Sequence, residues 1–328
     1  MTILVTGSAG HLGEAILRTL RARGSTVHGV DLKKSEFTDR VGSITDPGFA
    51  RAAMQGITAV IHTATLHKPH VATHSKQDFI DTNVTGTLNL LEAAAAVGVR
   101  SFVFTSTTSA FGSQLRPEAG GAAVWVTEDL PSLPKNIYGT TKVMAENLCE
   151  LFFRERSLPV LVLRTSRFFP EDDDDPLARA SFTPENAQAN ELLYRRLDIA
   201  DAVSAHLLAI ECAPHIGFAR YIVSATSPFT QDQLAVLSGD AASVVHALYP
   251  DCAQLYAARR WRLFPNIDRV YVNDRARREL GWRPRFDFAH VLSSLRAASD
   301  FRSELARQVG SKGYHDTVFD DGPYPVVS

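Results

Sequence analysis

Tyr138-Gly139-Thr140-Thr141-Lys142 puts a phenol and an ammonium four residues apart, on one face if the stretch is helical. A free phenol titrates at about 10 and is a poor base at neutral pH. A cation one turn along favours the phenolate and brings the group into range for moving a proton. A second stretch, Thr6-Gly7-Ser8-Ala9-Gly10-His11-Leu12-Gly13, spaces its glycines G-x-x-G-x-x-G. Glycine is required where a backbone turns tightly and approaches a pyrophosphate closely. A proton carrier and a dinucleotide cradle in one chain describe an alcohol/ketone redox site. Thr105-Ser106-Thr107-Thr108-Ser109 adds five hydroxyls in a row, any of which could hold a substrate oxygen.

These residues need a scaffold, and the apolar pattern supplies one. Ile3-Leu4-Val5 is a short apolar run that ends at the glycines, as a buried parallel strand does. Residues 12–23 then carry Leu12, Ile16, Leu17 and Leu20 at helical spacing before Gly24. Further strands are predicted at 26–30, 59–62, 102–105, 160–163 and 220–223. Helices are expected around 46–54, 78–97, 140–156, 199–213 and 274–281. The alternation implies an α/β fold, a doubly wound parallel sheet of Rossmann type. Asp31, at the end of the second strand, can accept both ribose hydroxyls of NAD and would repel a 2′-phosphate. Lys33 and Lys34 pull toward NADP, which stands as the lesser alternative.

Composition narrows the classes. The chain has 328 residues, 45% hydrophobic and 21% charged, with a formal net charge of -2. That balance gives no electrostatic footprint for nucleic acid or a membrane surface. No apolar run reaches membrane-span length, and the first strand leads straight into the glycine turn, so a cytoplasmic location is expected. Cys149, Cys212 and Cys252 lie far apart and read as reduced thiols. Glu171 to Asp175 is a run of five acidic residues that reads as a solvated loop, and the C-terminal tail looks irregular.

Together the motifs resemble those of the extended short-chain dehydrogenase/reductases, specifically the NAD-dependent sugar epimerase/dehydratase family. The resemblance adds Val60-Ile61-His62-Thr63-Ala64, residues 83–93, Phe102-Val103-Phe104-Thr105-Ser106-Thr107 and Arg278-Glu279-Leu280-Gly281-Trp282-Arg283-Pro284 to the two opening motifs. It implies an NAD-binding Rossmann domain over 1–165 plus about 199–213. A smaller substrate lobe and tail would take 166–198 and 214–328. It makes Tyr138 the catalytic acid/base, Lys142 its tuning partner on the nicotinamide ribose, and Thr107 the catalytic hydroxyl. Gly7, Gly10, His11, Leu12 and Gly13 would meet the pyrophosphate, and Asp31, Leu32, Ser43 and Ile44 the adenosine end. Ala64, Thr65 and Thr105 would line the cofactor channel, with Asn83 at the floor. A homodimer is the family expectation, through the helices near 78–97 and 140–156.

Departures from the family pattern concern the ligands. Ser43 stands where an aspartate often binds the adenine amino group. Arg167 replaces an asparagine that contacts nucleotide sugars, and Arg262 is what remains of an Arg-Pro-Gly-Asp phosphate clamp. Arg167 and Arg262 could grip a diphosphate or a small carboxylate, or sit in surface ion pairs. His67 is expected as a substrate contact beside Thr107 and Thr108. His70 and His74 share a zinc-like spacing, but Pro69 and the lack of a further ligand leave no metal expected. The reading is an NAD-dependent epimerase acting on a sugar or nucleotide sugar through a transient ketone. The alternative is a dehydrogenase/reductase of a non-nucleotide sugar, sugar acid or small alcohol. Thr108-Ser109 after Thr107 disfavours a dehydratase. A non-catalytic dinucleotide sensor is the rival from another class, and the retained Tyr138 and Lys142 argue against it.

Overall fold

The computed structural model describes residues 1–171 and 176–312; Asp172 to Asp175 of the acidic run and the tail from 313 lie outside the described residues. Seven parallel strands form the main sheet: β1 (Thr2–Thr6), β2 (Thr26–Asp31), β3 (Arg40–Val41), β4 (Ala59–His62), β5 (Ser101–Thr107), β7 (Val160–Thr165) and β8 (Phe218–Val223). Their order is β3-β2-β1-β4-β5-β7-β8. The chain leaves β1 toward β2 on one side, and β4 lies on the other. Ligand crevices of such sheets open at this switch point, beyond the carboxyl ends of the strands.

The strands alternate cleanly between two cores. Ile3 and Val5 of β1, Val103 of β5 and Leu161 of β7 pack with Leu12, Ile16 and Leu17 of α1 (His11–Ala22). Leu4, Phe102, Phe104 and Val162 face the other side, against α2 (Pro47–Ala53) and the helices that follow β4 and β5. Period-two side chains buried on both faces are what a parallel sheet covered by helices requires.

Two helices differ from the expected bounds for local reasons. The segment expected as one helix over 78–97 divides into α3 (Lys76–Phe79), a wide π turn (Ile80–Thr85) and α4 (Gly86–Val97). Such a turn admits an extra residue and re-aims the side chains on it. Here it carries the buried Asn83. α5 (Ile137–Arg156) starts earlier than the apolar pattern suggests, because Asn136 Oδ1 accepts from the Gly139 amide at 3.0 Å. That cap puts Tyr138 in the first turn.

The smaller lobe holds α6 (Pro176–Ser181), α7 (Pro184–Glu191) and a two-stranded parallel sheet of β6 (Val124–Val126) and β9 (Arg269–Tyr271). Its core gathers Leu192, Phe229, Leu237, Val270 and Phe288. α8 (Ile199–Ile216) returns to the main sheet, as expected. The boundary at 213 needs correction: β8 pairs with β7 along its length, from Val160↔Phe218 to Thr165↔Val223. The Rossmann sheet therefore runs past 213. All three cysteines are free thiols, with Cys149 and Cys252 buried. Among the described residues no helix is long and apolar enough to cross a membrane.

Candidate active site

A cavity of about 580 Å³ opens at the switch point, and most of the expected site residues line it. At one end lies the glycine turn. Gly7 has a φ of 74°, and a Cβ at Gly13 would lie 1.9 Å from the Gly7 carbonyl oxygen. No side chain fits there, so the turn hugs the start of α1. Gly10 caps α1 without a side-chain bond, leaving the first amides of the helix at the cavity edge. Asp31 is held at the end of β2, accepting from the Ala9 amide at 3.0 Å and the Lys33 amide at 2.8 Å. Leu32, Ser43 and Ile44 line the same end, and Ser43 Oγ is bonded to Thr45 Oγ1 at 2.7 Å. A compact cradle with open helix amides and a carboxylate at the next strand end fits a dinucleotide.

At the middle of the cleft Tyr138 is buried and lines the cavity beside Thr107, whose hydroxyl acts on the phenol. Thr107 Oγ1 also accepts from the Ser109 amide at 3.1 Å, which fixes its rotamer toward the site. Burial pushes the phenol up to about 12, and the Thr107 hydroxyl only partly opposes this. The sequence predicted a phenol drawn down by Lys142; the structure corrects this. Lys142 is itself buried and, unlike Tyr138, does not line the cavity; its Nζ lies 4.0 Å from the centre of the Phe104 ring. Burial pulls the ammonium down to about 7, with Glu146 holding it up.

Two of the expected cofactor contacts, Asn83 and Thr105, spend their polar groups on internal ties. Asn83 does not line the cavity. Its Oδ1 accepts from Thr65 Oγ1 at 2.9 Å and the Leu66 amide at 2.8 Å. Its Nδ2 donates to the Leu66 carbonyl at 2.9 Å and to Thr141 Oγ1 at 3.0 Å. Asn83 thus fastens the loop after β4 to α5, one residue before Lys142. Thr105 lines the cavity, yet its hydroxyl meets His206 Nε2 at 2.9 Å. His206 Nδ1 must donate to the Ala202 carbonyl at 2.7 Å, so Nε2 accepts from Thr105. Ala64 and Thr65 line the channel as expected.

The substrate end is less as expected. His67, Thr108 and Arg167 line the cavity; Arg262 does not. Arg262 is exposed, donates to the Ser181 carbonyl at 2.6 Å and lies over the Phe182 ring. The wall instead receives Arg195, Arg269 and Tyr271, none of which the sequence singled out. Arg269 and Tyr271 arrive on β9, whose pairing with β6 is a contact between segments more than a hundred residues apart. The local sign that could have drawn attention to Arg269 is that residues 259–271 are rich in arginine and aromatics. Ser166, also buried on the wall, has no hydrogen-bond partner for its Oγ among the described residues. His67 is held well below its usual range by burial, then by His70 and His11, and is a neutral imidazole.

At the rim, His11 Nε2 lies 3.1 Å from Glu171 Oε1. Burial would raise the Glu171 carboxyl, but the His11 bond and charge outweigh it and hold it at about 2. Ser311 Oγ donates to the same oxygen at 2.9 Å, and the Lys312 ammonium pairs with Glu14 of α1. The segment near 311 thus closes on the glycine turn, a contact no local pattern announces.

This architecture has counterparts among known proteins. The sequence matches the profile of the NAD dependent epimerase/dehydratase family over residues 3–214. It is 28% identical to a 2-alkyl-3-oxoalkanoate reductase of Stenotrophomonas maltophilia, across 91% of this chain and 99% of that one. To a UDP-glucose 4-epimerase of Schizosaccharomyces pombe it is 31% identical, over 45% of this chain and 46% of that protein. The chain spans about half the length of several curated relatives it matches. A solved short-chain dehydrogenase/reductase superfamily protein from Agrobacterium tumefaciens, with bound NAD, superposes with a TM-score of 0.65 at 28% identity, covering 91% of this chain and 97% of that chain. With the glycine turn, the Thr107–Tyr138 pair and the seven-stranded parallel sheet in one arrangement, the chain belongs to the NAD dependent epimerase/dehydratase family.

Proposed function

We propose that this protein is an NAD-dependent oxidoreductase that interconverts a secondary alcohol and a ketone on a small polar substrate. The observation that carries the reading is the Thr107–Tyr138 hydroxyl pair, set in the same cavity as the glycine turn. Gly7, Gly10, Gly13 and the start of α1 would hold the pyrophosphate, and Asp31 the ribose hydroxyls. When bound, the nicotinamide supplies a hydride acceptor or donor beside the substrate carbon. Thr107 would hold the substrate oxygen. Tyr138, with a phenol at about 12, keeps its proton at neutral pH and is ready to donate it to a ketone oxygen.

The sequence placed epimerisation of a sugar or nucleotide sugar first. Arg262 outside the cavity removes half of the expected diphosphate grip, and the similarity to a reductase across 91% of the chain supports net transfer. The test supplies NAD with nucleotide sugars, free sugars, sugar acids and simple secondary alcohols. Stoichiometric gain of reduced-cofactor absorbance supports net oxidation. Interconversion of stereoisomers without that gain means the epimerase, and tight NAD binding without turnover means a sensor.

We further propose that two copies pair across α4 and α5. Val97 and Met144 are exposed on those helices, whereas Ala93 and Ala94 are buried against the chain's own sheet. Light scattering at micromolar concentration giving twice 35.9 kDa supports the dimer; the monomer mass overturns it.

A further inference from the structure

The face of α5 that carries Tyr138 and Lys142 continues, one turn further, with Glu146, 1% exposed. Four donors converge on this carboxylate. Ser106 Oγ donates to Oε1 at 2.5 Å, and Arg164 of β7 through Nε at 3.0 Å and Nη2 at 2.7 Å. Arg220 of β8 donates through Nε at 3.1 Å. Arg164 is braced by Ser132 Oγ at 3.0 Å and by the Phe111 ring beneath it, and Arg220 also pairs with Glu150 at 2.9 Å. Ser106 directly precedes Thr107 on β5, which ties the cluster to the strand that carries the Thr107 hydroxyl.

The buried carboxylate thus carries two guanidiniums and has an ammonium one helical turn away. We propose that Glu146 is a positioning residue that keeps Lys142 charged, and that Arg220 opposes it by drawing on the same carboxylate. This rests on the reading of Lys142 as partner of the phenol and cofactor.

The groups around Lys142 single out Glu146. From α5 come Glu146 and Cys149, and burial and Glu146 push the Cys149 thiol up so that it stays neutral. β5 presents the Phe104 ring. β4 presents His62, and the loop after β4 His67, both held neutral by burial and pushed further down by Lys142 itself. Glu146 is thus the anion that sustains an ammonium which burial has pulled to about 7. Near neutrality, small changes in the cluster change the charged fraction most.

The test reads Lys142 directly. With 13C at the lysine ε-carbons of the full chain, the Lys142 signal is assigned by its loss in Lys142→Arg and followed against pH. Glu146→Gln should lower its midpoint by about 1 to 3 pH units, the effect of losing a nearby opposite charge. Arg220→Met should raise it, in the opposite direction, by roughly a unit. If Glu146→Gln fails to fold, Arg220→Met, on a side chain 23% exposed, decides alone. Midpoints that stay put, or that move the same way in both variants, overturn the proposal. The titration needs no turnover: opposite shifts in a protein that oxidises no alcohol would sink the functional reading and keep the electrostatic one. Fixed midpoints in an active enzyme would do the reverse. In an active enzyme the alkaline fall of ketone reduction should follow the midpoint, whereas a purely structural loss would lower rates equally at every pH.

Discussion

At the cofactor end of the cleft, the groups that face the cavity come from three short stretches near the start of the chain: Gly7, Gly10 and the first amides of α1, Asp31 and Leu32 at the next strand end, and Ser43 and Ile44. At the substrate end they are long side chains from remote segments: His67, Arg167, Arg195, Arg269 and Tyr271. The first end tolerates little change because a Cβ at Gly13 meets a carbonyl at 1.9 Å. The second can be reshaped by exchanging one side chain. A family can keep one hydride site and change its substrate on such a division. Tyr138 and Thr107 stand at the seam between the two ends.

The seam should show the largest effect. Tyr138→Phe removes the proton carrier and should lower turnover by about 10²- to 10⁴-fold while leaving NAD affinity within a few-fold. Turnover near wild type would show that the base lies elsewhere and that the seam is drawn wrongly.

At the cofactor end, Asp31→Ala removes charge-assisted bonds and should weaken NAD by about 10- to 100-fold, with discrimination against NADP relaxed. Isothermal titration with both cofactors measures this. A wild type that already prefers NADP would mean that Lys33 or Lys34 governs this end.

The pH profile probes the seam without mutation. Alcohol oxidation needs the phenolate with Lys142 charged; with the phenol at about 12 and the ammonium at about 7, that form gains with pH only up to about 7. Oxidation should therefore rise about tenfold per pH unit below 7 and level off above it. Ketone reduction needs both groups protonated, and should be flat below about 7 and fall above it. Steady-state rates in both directions, with buffers of matched ionic strength, test the pair. An oxidation rate that keeps climbing through pH 9 would detach Lys142 from the step.

The smallest effect is expected at Arg262. Exposed and turned onto Ser181 and Phe182, it should be replaceable by Ala with kcat/KM changed by less than about twofold. A tenfold loss would extend the substrate end to this arginine and restore the nucleotide-sugar reading.

Much of this protein was legible in the chain because its information is local. The glycine spacing, the apolar runs of β1, β4, β5 and β7, the Tyr138–Lys142 interval and the hydroxyls after Phe104 are each set within a few residues. Secondary structure alone brings their groups to one edge of a parallel sheet. What only the tertiary structure decided depends on segments far apart in sequence. The parallel pairing of β6 with β9 brings Arg269 and Tyr271 to the wall. The π turn makes Asn83 a fastener of the loop and α5, where a cofactor contact was expected. Burial, which no spacing reveals, pushes the Tyr138 phenol up against the expected pull of Lys142. Charge balance inside a fold depends on what is packed around a group, and the carboxylate one turn from Lys142, Glu146, is itself held by donors from β5, β7 and β8.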